Sequence, residues 1–172
     1  MRKQLLFICV IASAVILAGC NNDIAAKEFK SYNDEDMEPL EENAYKLQNM
    51  KAEMESLIQG TEAKGEYIQN NMLSLLEEII TEAEEIQDRL QSEEVKKLND
   101  LSIQQLDSTH EVFEKLAEVF NLQTPPVSDQ DQKKSEEIYS EVQTISSDIQ
   151  EITEEHDQYM SELEDKYNGK GD

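Results

Sequence analysis

From Leu5 to Leu17 the chain is apolar at every position but Ser13; from Asn21 onward it is polar, with apolar residues returning at helical intervals. Residues 21–37, NNDIAAKEFKSYNDEDM, show no sustained apolar period and are expected as a flexible tether spanning roughly 20–25 Å. In the first periodic segment Leu40, Ala44, Leu47, Met50, Met54, Leu57 and Ile58 recur at three and four residues, which marks one helix face. Pro39 suits its first turn, where a missing N–H costs little. Gly60 and Gly65 flank TEAK and predict a turn, since each glycine costs about 1 kcal/mol inside a helix. Met54, Thr61, Ile68 and Leu75 nonetheless keep a seven-residue register, so one long helix over 39–91 is the alternative.

The second segment runs Ile68, Met72, Leu75, Ile79, Ala83, Ile86, Leu90. The seam should next fall on 93, 94 or 97, which are Glu, Glu and Lys, so the phase slips there. Ser92 followed by two glutamates suits an N-cap and first turn. Val95, Leu98, Ile103, Leu106, Phe113, Leu116, Ala117 and Phe120 carry the third helix until Pro125-Pro126 stops it. Ser128 with Asp131 caps the fourth. Its seam is the most regular: Ile138, Ile145, Ile152 and Tyr159 at one heptad position, Val142, Ile149, His156 and Leu163 at the other. The pattern predicts an all-α, coiled-coil-like antiparallel bundle over 38–167, with four long helices or, as the alternative, three. Residues 168–172 are expected as a frayed tail.

The apolar run is read with its flanks. Arg2 and Lys3 precede it, and thirteen helical residues rise only about 20 Å, short of a roughly 30 Å hydrocarbon core. That combination marks residues 1–19 as a signal peptide and not a spanning helix. Leu17-Ala18-Gly19-Cys20 resembles the lipobox of bacterial lipoproteins: a leucine, two small residues and a cysteine. The resemblance implies diacylglyceryl transfer to the Cys20 sulfur, cleavage before it by the lipoprotein signal peptidase, and residues 20–37 as lipidated cysteine plus tether. Cys9 leaves with the signal, so the mature chain has no second thiol and no internal disulfide. Two acyl chains anchor stably where one is marginal. The expected location is the extracytoplasmic face of the cell membrane.

Charge narrows the partners. The chain has 39 acids against 15 bases, and removing Arg2 and Lys3 takes away only bases. Such a polyanion is repelled by nucleic acid, anionic headgroups and the phosphate polymers of a cell wall. No nucleic-acid partner is expected.

Candidate chemistry is sparse. His110 sits between Leu106 and Phe113, and His156 between Ile152 and Tyr159, both on apolar faces. Di-metal bundles use Glu-x-x-His on paired helices, but residue 107 is Asp and residue 153 is Thr. In an antiparallel pair of helices the two histidines also lie roughly 24 Å apart, so they read as core or boundary residues. The acidic clusters at 33–36, 77–78 and 82–85 lack the spacing of a calcium loop and read as solvated faces. No phosphate loop or nucleophile motif is present. No catalytic residue, metal ligand or cofactor is expected beyond the lipid on Cys20. Tyr139 and Tyr167 are the least core-like aromatics and the candidates for stacking on a sugar.

The stretch EEIQDRLQSEEVKKLNDLSIQQLDSTHEVFEKLAEVF, with the helix after it, a lipobox and Glu- and Lys-rich helices, resembles the YkyA-type family of cell-wall-binding lipoproteins from Gram-positive bacteria. The likeness covers about half the mature chain, which is shorter and more acidic than that family. It implies a lipid-anchored helical body acting at the envelope and supplies no catalytic motif. The expected function is therefore non-enzymatic: binding or spacing an envelope protein or wall component, with self-association open to the heptad seams. The alternative is a helical carrier of a small ligand or divalent cation.

Overall fold

The computed structural model of the chain describes residues 23–57 and 60–168. Residues 1–22, with Leu17, Ala18, Gly19 and Cys20, lie outside them, as do Ile58, Gln59 and 169–172. Four helices account for nearly all of the described chain, and no strand occurs among these residues. Helix α1 covers 23–56 and includes a π turn at Tyr32–Asp36 before Met37–Ser56. Helix α2 covers 61–89 as Thr61–Tyr67, a π turn at Ile68–Met72 and Leu73–Arg89. Helices α3, Glu93–Leu122, and α4, Asp129–Asn168, are uninterrupted.

The expected tether is a correction. The chain is helical from 23, and Phe29 and Tyr32 are among the most buried side chains of the protein. They form one core cluster with Leu40 of α1, Ile79, Ala83, Ile86 and Leu90 near the end of α2, Val95 and Leu98 at the start of α3, and Leu163 of α4. All four helices meet there. The physical reason for the mismatch is the π turn. Tyr32 and Met37 are five apart, a step that an α-helical face does not allow, but a turn closed i to i+5 returns both to one side; the Met37 N–H bonds the Tyr32 carbonyl. Pro39 therefore lies inside a helix and not in a first turn. Its ring would crowd the carbonyl four residues back, and the widened turn sits directly upstream.

Of the two glycines, Gly60 lies in the α1–α2 connection, at φ +99°, which an L side chain rarely adopts. The long helix over 39–91 is thereby excluded. Gly65 is no turn residue: it is buried within α2, and a Cβ there would come 2.7 Å from Asn121 Oδ1 and 3.3 Å from the Ala117 carbonyl. It is what lets α2 and α3 approach closely. At this end the core is Met54, Ile68, Met72, Leu76, Phe113 and Ala117, from α1, α2 and α3 only. Leu76, off the expected seam, is fully buried while Leu75 is half-buried, because the π turn Ile68–Met72 shifts the phase of α2. Ala44, expected on the inner face of α1, is exposed.

The boundaries after α2 follow the pattern closely. Leu90 and Ser92 are extended, and α3 begins at Glu93. Ser128 and Asp131 form a reciprocal cap: the Asp131 N–H donates to Ser128 Oγ (3.1 Å), and the Ser128 N–H to Asp131 Oδ2 (3.1 Å). Every residue of the α4 seam from Ile138 to Leu163 is buried or half-buried. Along this seam α4 packs antiparallel on α3, with Lys115–Glu141 at 2.7 Å and Lys97–Glu155 at 3.2 Å on its edges. Inside, Asn99 donates to the Ala83 carbonyl and to Gln87 Oε1, both at 2.9 Å, and so ties α3 to α2.

Candidate functional site

The described residues nearest Cys20 open α1, and the first turns of this helix are held on three sides. Glu28 accepts the backbone N–H of Gln91 on Oε1 (2.7 Å) and that of Ser92 on Oε2 (2.6 Å). One carboxylate thus satisfies the donors of the α2–α3 turn and sits at the positive end of α3. Ser92 holds the expected cap position, but its side chain makes no capping bond; Glu28, remote in sequence, binds the amides of Gln91 and Ser92 just before the helix. Phe29 lies against Tyr167 of α4, ring centroids 5.5 Å apart and tilted by 40°. Arg89 at the end of α2 pairs with Asp36 at 3.2 Å.

Tyr167 corrects a second expectation. It packs against the core, and its hydroxyl donates to Glu94, which also receives Lys166 Nζ on Oε2 at 2.6 Å. Tyr139 remains exposed, and Tyr45, which the pattern did not single out, is more so. Lys166 first, and then Tyr167, hold the Glu94 carboxyl below its ordinary value of 4.5. A lowered folded-state value means that the ion pair stabilises above the unfolded-state value and is lost as pH falls through the folded one. Stability of the parent over Glu94→Gln, measured by urea unfolding, is therefore expected at neutral pH and to vanish in acid below 4.5. The pair is partly exposed, so the difference is at most about 1 kcal/mol. A difference that persists unchanged into acid would refute the assignment.

The histidines do not meet. His110 faces Glu77 of α2 and Glu114 of its own helix, each at 3.8 Å and too far for a hydrogen bond. His156 lies 3.4 Å from Asp157. Both side chains are mostly covered, and Nε2 of each is buried without a partner. Thr153, at the place a second Glu-x-x-His would need its carboxylate, accepts Gln105 Nε2 at 2.9 Å and donates to the Ile149 carbonyl at 2.7 Å. Among the described residues no three His, Cys, Asp or Glu side chains are grouped to hold a metal ion. Carboxylates dominate two open grooves: Glu77, Glu78, Glu82 and Glu85 line one, and Asp107, Glu111, Glu114 and Glu118, with His110 and Lys115, another. A third, on α4 beside Tyr139, Gln143 and Ser146, is uncharged.

Deeper in the core, burial raises the Tyr32 phenol above its ordinary value, outweighing the influence of Ser102. Ser102 donates its own proton to the Leu98 carbonyl at 3.5 Å, and no group meets hydrogen-bond geometry at the Tyr32 oxygen. Among the described residues no helix is long and apolar enough to cross a membrane. Compared with family models, curated proteins and solved structures, the chain matches none of them.

Proposed function

We propose that the chain is a non-enzymatic lipoprotein, held on the extracytoplasmic face of a membrane by a diacylglycerol thioether on Cys20, whose helical body binds or spaces an envelope protein or wall component. The observation that carries this is the order Arg2-Lys3, apolar run, Leu17-Ala18-Gly19-Cys20, followed within three residues by a helical body. The apolar run has signal-peptide length. Two acyl chains on one sulfur suffice for stable attachment. Tyr167, Glu94 and Glu28 are engaged in packing, ion pairing and backbone hydrogen bonds. The acidic flanks favour a protein or a neutral polymer over phosphate-bearing wall polymers.

Crosslinking in intact cells, followed by purification from detergent-solubilised envelope, is expected to recover one specific protein or wall fragment in comparable amount to the chain. Recovery of the chain alone, after crosslinkers of several lengths, counts against a binding role. Stoichiometric metal that is lost on His110→Ala or His156→Ala would favour a cation carrier instead.

A further inference from the structure

We propose that the bundle stands end-on upon the bilayer, with the α2–α3 turn and the last turn of α4 facing the lipid surface and the α3–α4 loop outermost. This rests on Cys20 being the lipid attachment point, and deepens that reading by naming the face that meets lipid. The chain between anchor and body is short: three residues reach from Cys20 to Asp23, at most about 11 Å. Five more residues of helix, about 7.5 Å, lead to Glu28. Glu28 is itself bonded to the backbone of Gln91 and Ser92, so its place relative to the α2–α3 turn is fixed. Phe29 on Tyr167 fixes the end of α4 beside it. A root of this kind cannot swing as a seventeen-residue coil would.

The opposite end is remote. Helix α3 alone carries the chain some 45 Å from Glu93 to Leu122. There Thr61 at the start of α2 bonds the Gln123 carbonyl (3.3 Å) and pairs with Thr124 (3.1 Å), closing the far end of the rod. Val127 is exposed there, beside Pro125 and Pro126.

Charge disfavours lying flat on two of the long faces. A rod lying on either of these would set the carboxylates of Glu77, Glu78, Glu82 and Glu85, or those of Asp107, Glu111, Glu114 and Glu118 with Lys115 among them, against anionic headgroups. At the root the exposed residues of the first turns are Asp23, Ile24, Lys27 and Lys30. Beside them acids and bases are mixed: Asp88, Arg89 and Glu93 around the α2–α3 turn, Glu164, Asp165 and Lys166 at the end of α4. Lysines are attracted to an anionic surface, though Lys30 already pairs with Asp34. Exposed Ile24 offers an apolar side chain to the interface.

The chain has no tryptophan, so a single introduced one reports alone. Gln91→Trp and Val127→Trp, both at exposed positions, place the donor at the two ends. Each is anchored to phosphatidylglycerol-containing vesicles that carry dansyl headgroups, in two preparations. One is the lipoprotein purified from bacterial membranes. The other starts at Cys20, keeps every described residue, and is coupled through that thiol to a maleimide lipid. Helix content by circular dichroism, equal to that of the parent, verifies folding. The expected result is energy transfer at least several-fold greater for Gln91→Trp than for Val127→Trp in both preparations. A ten-residue Gly-Ser insertion between Asn22 and Asp23, spanning roughly 17 Å, should lower the Gln91→Trp signal. Equal transfer from the two ends on the maleimide vesicles overturns the proposal. If the asymmetry holds there while the bacterial preparation carries no lipid on Cys20 by mass, the geometry stands and the anchoring proposal falls.

Discussion

A chain carrying Cys20→Ser is expected to keep residues 1–19 and to take up no fatty acid. The nucleophile in lipid transfer is a thiolate, and a serine hydroxyl is too weak an acid to supply its counterpart. Without the thioether the cleavage that depends on it does not follow. The energetic effect is the largest any single change in this protein should have. Each buried methylene contributes about 0.8 kcal/mol, and a single myristoyl chain already gives a binding constant near 10⁴ M⁻¹. Losing two chains therefore removes more than about 10⁴-fold of membrane affinity. Sedimentation alone does not report this, because the unprocessed variant retains the apolar run from Leu5 to Leu17, which is itself membrane-seeking. The decisive readouts are intact mass and incorporation of labelled fatty acid, compared between parent and variant. Normal cleavage before residue 20 in the serine variant, with equal recovery in the envelope fraction, would sink the lipoprotein proposal.

How much of this fold could be read from the residues depended on how nearly each helix kept one period. Helix α4 is the simplest case. Its two-residue heptad seam faces chiefly α3, with Leu163 reaching the four-helix cluster, and all eight seam residues are covered by packing. The phase slip after Leu90, the Pro125-Pro126 stop and the Ser128–Asp131 cap are local events whose chemistry lies within a few residues, so pattern and structure agree there. Helix α1 failed for the opposite reason. Ala25, Phe29 and Tyr32 are spaced as a helix face, but the next inward residue, Met37, comes one position late, and the surrounding NDED reads as solvent-facing chain. Only the π turn reconciles them, and that feature has no compositional signature. Gly65 was misassigned because glycine marks both turns and close helix contacts; which one applies depends on Asn121 and Ala117, more than fifty residues away. The anchor of α1 to the bundle was equally hidden. Nothing in the sequence links Glu28 to the amides of Gln91 and Ser92, since a backbone donor looks the same at every residue.

The second large effect follows from that misjudged segment, and separates a tether from a structural root. Phe29→Ala is expected to destabilise the helical body by about 3–5 kcal/mol, the range for truncating a buried phenylalanine. Phe29 is 2% exposed, and its cluster draws on all four helices. Replacing it removes the ring contact with Tyr167 and opens a cavity that Val95 and Leu163 cannot both move to fill, because each is fixed by its own helix. Against a total stability of roughly 5–15 kcal/mol for a domain of this size, that loss shifts the urea midpoint strongly. Tyr45→Ala is the matched control: an aromatic of the same helix, 65% exposed, whose removal should stay within about 0.5 kcal/mol. Had residues 21–37 been a solvated coil, Phe29 would behave as Tyr45 does. Equal unfolding midpoints for the two variants would return the segment to a tether and withdraw the fixed root on which the end-on orientation depends. A large gap between them, with helix content falling first at the α1 end by hydrogen exchange, would show that the first turns after the anchor hold the four-helix end together.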